Sequence, residues 1–220
     1  MSLTLYYHPL SSFCHKVLIA LYESGTPFTP HLVDLGDPAS RDAFLKIWPI
    51  GKFPVLRDDA RGETVPESTA IIDYLGLHYP GQVSLIPAAP EAAQRVRLLD
   101  RIIDLHLHLS MQKVMGDNLR PADRTDPYGV EQAIRSINTT CDILEREIAG
   151  KTWLTGDAFT MADCAAAPAL FYGDMVVPLA NPYPQAAAYL ARLKQRPSYA
   201  RALKEAQPYM HLVPRQRRVA

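Results

Sequence analysis

The spacing of apolar and polar positions changes once along this chain. In roughly the first eighty residues, short β-rich runs alternate with helical stretches; beyond Pro90 only helical spacing remains. The run Leu3, Thr4, Leu5, Tyr6, Tyr7 reads as a strand, and His8-Pro9 stops it. Phe13, Val17 and Leu21 then recur at i, i+4 and i+8, which predicts a helix over 12–24, with Gly25 where a C-cap glycine belongs.

Residues 29–33 form a second strand, and 38–47 a short helix with Phe44 and Ile47 on its inner side. Strands at 54–57 and 63–65 are joined by Asp58-Asp59-Ala60-Arg61-Gly62, a turn-rich loop, and read as a hairpin. A helix over 68–79 starts on Ser68 as N-cap and ends before Pro80-Gly81. The order β-α-β-α-β-β-α is the thioredoxin-like layout, one mixed sheet with helices packed on it. After a proline-bearing linker, 81–90, a long helix over 91–116 carries Leu98, Leu99, Ile102, Ile103, Leu105, Leu107 and Leu109. A polar loop and helices at 128–149, 160–176, 185–196 and 198–206 follow, with Pro197 separating the last two. The expected fold class is α/β plus all-α: a thioredoxin-like domain, 1–80, then a helical bundle, 91–220.

Charge narrows the partners. Twenty-three Lys and Arg balance 23 Asp and Glu over 220 residues, and the pI is near 7.1. Nucleic acid and anionic membranes reward a basic face, so neither is expected as the main partner. The terminal Arg215, Arg217 and Arg218 read as a solvated tail. Three cysteines, Cys14, Cys141 and Cys164, are odd in number and far apart, which suits a reducing compartment better than a disulfide framework. Residues 1–20 lack the charged start and unbroken apolar run of a secretory leader. The longest apolar stretch, 164–172, contains Pro168 and is too short to span a bilayer. A cytoplasmic location is the expectation.

The chemistry gathers in three places. Ser11 and Ser12 stand where the first strand passes into the first helix, whose tip offers unpaired N–H groups and partial positive charge to an anion. Ser11 and Cys14 form S-x-x-C where a thioredoxin carries C-x-x-C, so the attacking sulfur is expected to arrive on a ligand. Gly51-Lys52-Phe53-Pro54 puts a proline at a strand start, where this fold carries a cis bond. Phe53 can then offer its backbone to a peptide as an added strand. Pro66-Glu67-Ser68-Thr69 sets a carboxylate and a hydroxyl at the next helix start, able to hold an amino-acid head group. Ser11 and Ser12 alone would pass for N-caps; the three signals in this order say more.

Residues 3–80 resemble the N-terminal domain of glutathione transferases, and the helical remainder resembles their C-terminal domain. Trp153-Leu154-Thr155-Gly156-Asp157-Ala158-Phe159-Thr160-Met161-Ala162-Asp163 matches the family's second-domain signature; read from the residues alone it is a capping box, Thr160 with Asp163. The resemblance implies Ser11 as the catalytic serine of the theta, zeta and tau-like classes, donating to the sulfur of glutathione, the co-substrate. It implies Ser12, Lys52, Phe53, Pro54, Glu67 and Ser68 around the tripeptide, with Lys52 at the glycine carboxylate and Glu67 and Ser68 at the γ-glutamyl end. Asp104 resembles an acid that some members reach across the dimer. Tyr7, Met111, Met115 and Tyr172 are candidates for a hydrophobic electrophile cavity, and a homodimer is implied.

Zeta isomerases carry Ser-Ser-Cys where this chain has Phe13, and theta-like members often have Asn-Pro where it has Trp48-Pro49. Two rival functions stay open: a glutathione-dependent thiol–disulfide oxidoreductase or peroxidase acting through Cys14, and a non-enzymatic glutathione-binding module. His15, His106 and His108 lack companion ligands, and no metal is expected.

Overall fold

A computed structural model describes residues 2–214. The arginine tail, Arg215, Arg217 and Arg218, lies outside them. The chain divides into two compact units, each with its own packing.

The first unit comprises Met1–Ile86 and Pro197–Tyr209. Its four-stranded sheet holds β1 (Leu3–Tyr7), β2 (Thr29–Leu32), β3 (Val55–Asp58) and β4 (Glu63–Pro66) in the order β2-β1-β3-β4. β1 and β2 are parallel, and β3 runs antiparallel to both β1 and β4. Helices α1 (Ser12–Ser24), α2 (Pro38–Ile47) and α3 (Ser68–His78) complete the βαβαββα order. Leu3, Leu5, Val17, Leu21, Val55, Leu56, Ile71 and Ile72 make the sandwiched core. Gly25 closes α1 at φ 68°, a conformation that costs glycine nothing.

Two boundaries differ from the sequence reading. α3 begins at Ser68, with Glu67 in the N-cap position at φ 69°, so Ser68 is the first helical residue and is buried rather than capping. β3 begins at Val55, because the proline before it has no N–H for a ladder. The carboxylate of Asp58 ties the far end of the sheet, accepting from the hydroxyls of Tyr74 (2.8 Å) and Tyr79 (2.5 Å).

Helix α9 (Pro197–Ala206) packs on α1, although it follows all the other helices in sequence. Tyr22 donates to Glu205 at 2.6 Å, and Ser198 donates to Glu23. The Arg201 guanidinium lies 3.9 Å from the Tyr22 ring centroid and bonds Glu205 at 2.9 Å. An amphipathic ten-residue helix gives no sequence signal of which partner it chooses.

The second unit spans Pro87–Arg196 and resumes at Met210. It contains α4 (Pro90–Ile102), α5 (Leu109–Asp117), α6 (Pro127–Ile148), α7 (Met161–Asp174) and α8 (Pro184–Gln195). α4 and α5 are one continuous rod interrupted by a π-helical segment, Ile103–His108, where the sequence reading has uniform helix. Such segments mark places where side-chain packing overrides the i→i+4 ladder. Glu145 of α6 caps α8 from outside, accepting from the N–H groups of Gln185 (2.9 Å) and Ala186 (2.8 Å).

The unit's polar centre is Asp163. Its carboxylate accepts from the N–H and hydroxyl of Thr160 (2.8 and 2.9 Å), the N–H of Leu154 (2.9 Å) and the hydroxyl of Tyr189 (2.5 Å). Burial raises its pKa while these donors oppose the rise. Truncating the carboxylate orphans buried donors, each bond to a charged group being worth about 1.5–3 kcal/mol. Asp163→Ala is therefore expected to lower unfolding free energy by about 3 kcal/mol or more, read from the urea midpoint; a loss within about 0.5 kcal/mol, the scale of an ordinary surface change, contradicts this.

Candidate active site

Strand register decides what meets at one end of the sheet. Tyr6 pairs with Val55, and Val55 pairs with Pro66. The loop leaving β1, the turn entering β3 and the turn leaving β4 therefore lie side by side. These carry His8 to Ser12, Lys52 to Pro54, and Glu67 with Ser68.

The β1–α1 loop is held by its own backbone and one histidine. Ser11 donates its N–H to the carbonyl of His8 (3.0 Å), and the buried His15 bonds through Nε2 to the carbonyl of Pro9 (2.5 Å). A carbonyl can only accept, so Nε2 carries the proton. Ser11 sits at the N-cap of α1, and its Oγ accepts from the N–H of Cys14 at 3.3 Å. An accepting hydroxyl keeps its own proton to donate, and here the Cys14 sulfur beneath it is one acceptor within reach. Ser11 is half-buried and Ser12 is 4% exposed, so of the two Ser11 is the one available to a ligand.

The Phe53–Pro54 peptide is cis, as the sequence reading expects. Pro54 is buried, Phe53 half-buried and Lys52 exposed. Phe53 joins the cluster around Val33, Phe44 and Val55 and stacks near the His8 ring at 6.0 Å. Glu67 is exposed and is the one non-glycine residue with positive φ among the described residues. Such a conformation costs on the order of 1–3 kcal/mol and persists where neighbours enforce it, often at ligand sites. The buried Lys16 of α1 reaches Thr69 beside it, Nζ to Oγ1 2.8 Å, tying the start of α3 to α1.

Tyr7 is half-buried, and its phenol pKa is raised by burial and by Glu205 and Tyr209, so it stays neutral. Asp104, Met111, Met115 and Tyr172 belong to the helical unit. Asp104 lies in the π segment, buried, 3.2 Å from Nδ1 of the buried His108 and 4.0 Å from Arg101. Met111 and Tyr172 are buried and Met115 half-buried. Sequence reasoning passed over His8, Lys16 and Tyr209. His8 was legible only as a strand stop, and nothing local marks Tyr209 as a neighbour of His8, a contact made at 5.4 Å.

Two family models match: the glutathione S-transferase N-terminal domain over residues 5–82 and the C-terminal domain over 127–192. The chain belongs to the glutathione transferase family. It is 33% identical over 175 residues to glutathione S-transferase 3 of Zea mays, covering 76% of this chain and 78% of the relative. To a stringent starvation protein A homolog of Coxiella burnetii it is 30% identical over 169 residues, 77% of this chain and 75% of that one. The holo structure of maleyl pyruvate isomerase, a bacterial zeta-class glutathione S-transferase, superposes with TM-score 0.78 at 28% identity, covering 93% and 98% of the chains.

Within this family member the cysteines are poor nucleophiles. Cys14 is fully buried, and burial pushes its thiol to about 12 despite hydrogen bonds from Ser11 and the His8 backbone. Burial likewise pushes Cys141 to about 12, and Cys164 is fully buried. Thiolate is the reactive form, so an aromatic disulfide reagent is expected to label all three at least about a hundredfold slower in native protein than in urea. Rapid labelling of Cys14 in the native state would return the Cys14-based oxidoreductase to contention. Among the described residues no group of three His, Cys, Asp or Glu is placed to hold a metal, and no helix is long and apolar enough to cross a membrane.

Proposed function

We propose that this protein binds glutathione at the gathered sheet end, stabilises its thiolate and conjugates it to a small hydrophobic electrophile. The observation that carries the reading is Ser11: a half-buried hydroxyl with a proton to give, at a helix tip where the chain has no accessible sulfur of its own.

The residues divide the tripeptide between them. The backbone of Phe53 pairs with the cysteinyl residue, Lys52 meets the glycine carboxylate, Glu67 and Ser68 hold the γ-glutamyl end, and Ser12 is assigned to the tripeptide beside Ser11. A free thiol near pKa 8.5 is only about 3% ionised at neutral pH. Lowering it by about two units needs about 2.7 kcal/mol of selective anion stabilisation. One charge-assisted bond from Ser11 supplies about 1.5–3 kcal/mol, and the tip of α1 adds about 0.3–1. No general base is required. Tyr7, Met111, Met115 and Tyr172 are assigned to the electrophile, and Asp104 to the γ-glutamyl ammonium of a second subunit.

A homodimer fits the surface of the helical unit. Leu98, Leu105 and Leu109 recur at i, i+7 and i+11 on the long rod and are 48%, 43% and 42% exposed. Exposed apolar stripes of this kind mark partner contacts. Size-exclusion chromatography at low micromolar concentration is expected to give twice the chain mass; a monomer peak refutes the assignment.

The relative from Coxiella carries no transferase name, which makes a binding module without turnover the reading to exclude. Ser11→Ala is expected to cut kcat about ten- to a hundredfold and to raise the pKa of the bound thiol by about one to two units. The dissociation constant of glutathione should change less than about threefold, since one bond to a neutral thiol contributes little. Thiolate absorbance, calorimetric titration and a panel of a halonitrobenzene, a hydroperoxide, a disulfide and a dihaloalkane check these. Unchanged turnover moves the role to Ser12 or backbone donors; binding without any turnover supports the module.

A further inference from the structure

Lys16 is the one lysine or arginine buried among the described residues, at 0% exposure. Lysine is rarely buried without a partner, and an apolar side chain of similar size would fill the space without desolvating an ammonium. A polar reason is therefore needed, and it lies at the start of α3. Nζ donates to Oγ1 of Thr69 at 2.8 Å, reaching from the body of α1 to the first turn of α3.

That turn lacks the support its neighbours have. Side chains cap α1 and α2, those of Ser11 and Asp37, whereas Glu67 at the N-cap of α3 makes no capping bond among the described residues. Glu67 also holds φ 69°, a strained conformation for a residue with a side chain. An uncapped helix start frays readily, and strain at the cap residue adds to the tendency. The Glu67 carbonyl accepts from the N–H of Ile71 at 2.9 Å, which closes one backbone turn, and Lys16 pins Thr69 from outside the helix. A hydrogen bond fixes distance and direction together, which apolar contact leaves looser.

The helix that carries Lys16 also carries Ser11 at its tip, and the turn it pins carries Glu67 and Ser68. The bond therefore sets the span between the hydroxyl assigned to the sulfur and the pair assigned to the γ-glutamyl end. We propose that Lys16 is the positioning residue that makes this protein selective for a γ-glutamyl thiol. With the first turn of α3 already ordered, the γ-glutamyl arm binds without the cost of ordering it. A thiol that ends at its cysteine reaches Ser11 and Phe53 but not α3, and is indifferent to Lys16. The inference rests on the glutathione reading above.

Calorimetric titration of S-hexylglutathione and of S-hexylcysteinylglycine, which lacks the γ-glutamyl residue, tests this. Wild-type protein is expected to bind the tripeptide at least about tenfold tighter. Lys16→Met should weaken the tripeptide about ten- to a hundredfold and the dipeptide less than about threefold, the scale of a small packing change. Thr69→Val keeps the branched side chain without the hydroxyl and should show the same selectivity. The double variant should be no weaker than Lys16→Met alone, since both changes remove one contact. In turnover of a halonitrobenzene, KM for glutathione should rise while kcat at saturation stays within about threefold. If the dipeptide binds too weakly to titrate, this KM-against-kcat split decides; if Lys16→Met does not fold, Thr69→Val carries the test. Equal losses with both ligands, additive losses in the double variant, a fall in kcat at constant KM, or a wild type that does not discriminate overturn the assignment. Wild-type protein that fails to bind S-hexylglutathione overturns the glutathione reading itself, whereas intact binding that neither variant alters removes only the role of Lys16.

Discussion

The pairing of Val55 with Tyr6 on one side and Pro66 on the other governs the whole N-terminal unit. Because β3 is antiparallel to both neighbours, the end of β1, the start of β3 and the end of β4 fall together. Three segments far apart in sequence then present a hydroxyl, an open backbone and a carboxylate side by side. A slip of one residue would turn every side chain of β3 to the other face and bury the wrong set. Val55 is buried on one face with Val33 and Phe44 and Leu56 on the other beside Leu5, while Asp58 is fixed by Tyr74 and Tyr79, so the same pairing fills the core and assembles the site.

The loop between β1 and α1 shows how a small structural charge is kept in order. His15 bonds back to Pro9, His8 accepts from Leu10, and Ser11 accepts from Cys14, so each polar side chain there has a directional tie to the main chain. The result is a helix tip with a positive partial charge and a rigid set of donors around it. Cys14, one turn in, is sealed under that surface and held far from ionisation. The difference between a sulfur inside and a sulfur outside this shell is the difference between packing and chemistry, and the proposed conjugation accordingly assigns the reacting thiol to a ligand.

Helix α9 links the end of the described chain to this site without belonging to the helical unit. Its contacts with α1 run through Glu205, Arg201 and Ser198, and the chain just past it sets Tyr209 against His8. The helical unit is organised differently, around one buried carboxylate serving two elements. Asp163 caps α7 and holds the loop at Leu154, while Tyr189 brings α8 to the same point.

The sequence by itself determined the element order, the capping glycine at Gly25, the Thr160–Asp163 box and the place of the cis proline. Each of these is local: it depends on residues a few positions apart whose backbone preferences are strong. The family resemblance was legible for the same reason, since its motifs are short and contiguous. Tertiary structure decided the rest. That α3 starts on Ser68 behind a positive-φ Glu67, that the long rod carries a π segment, that α9 joins the first unit, and that Leu10 fixes the tautomer of His8 all depend on contacts between distant or competing partners. Propensity ranks what a segment prefers alone; burial and hydrogen-bond satisfaction choose among near-equal options once the neighbours are in place.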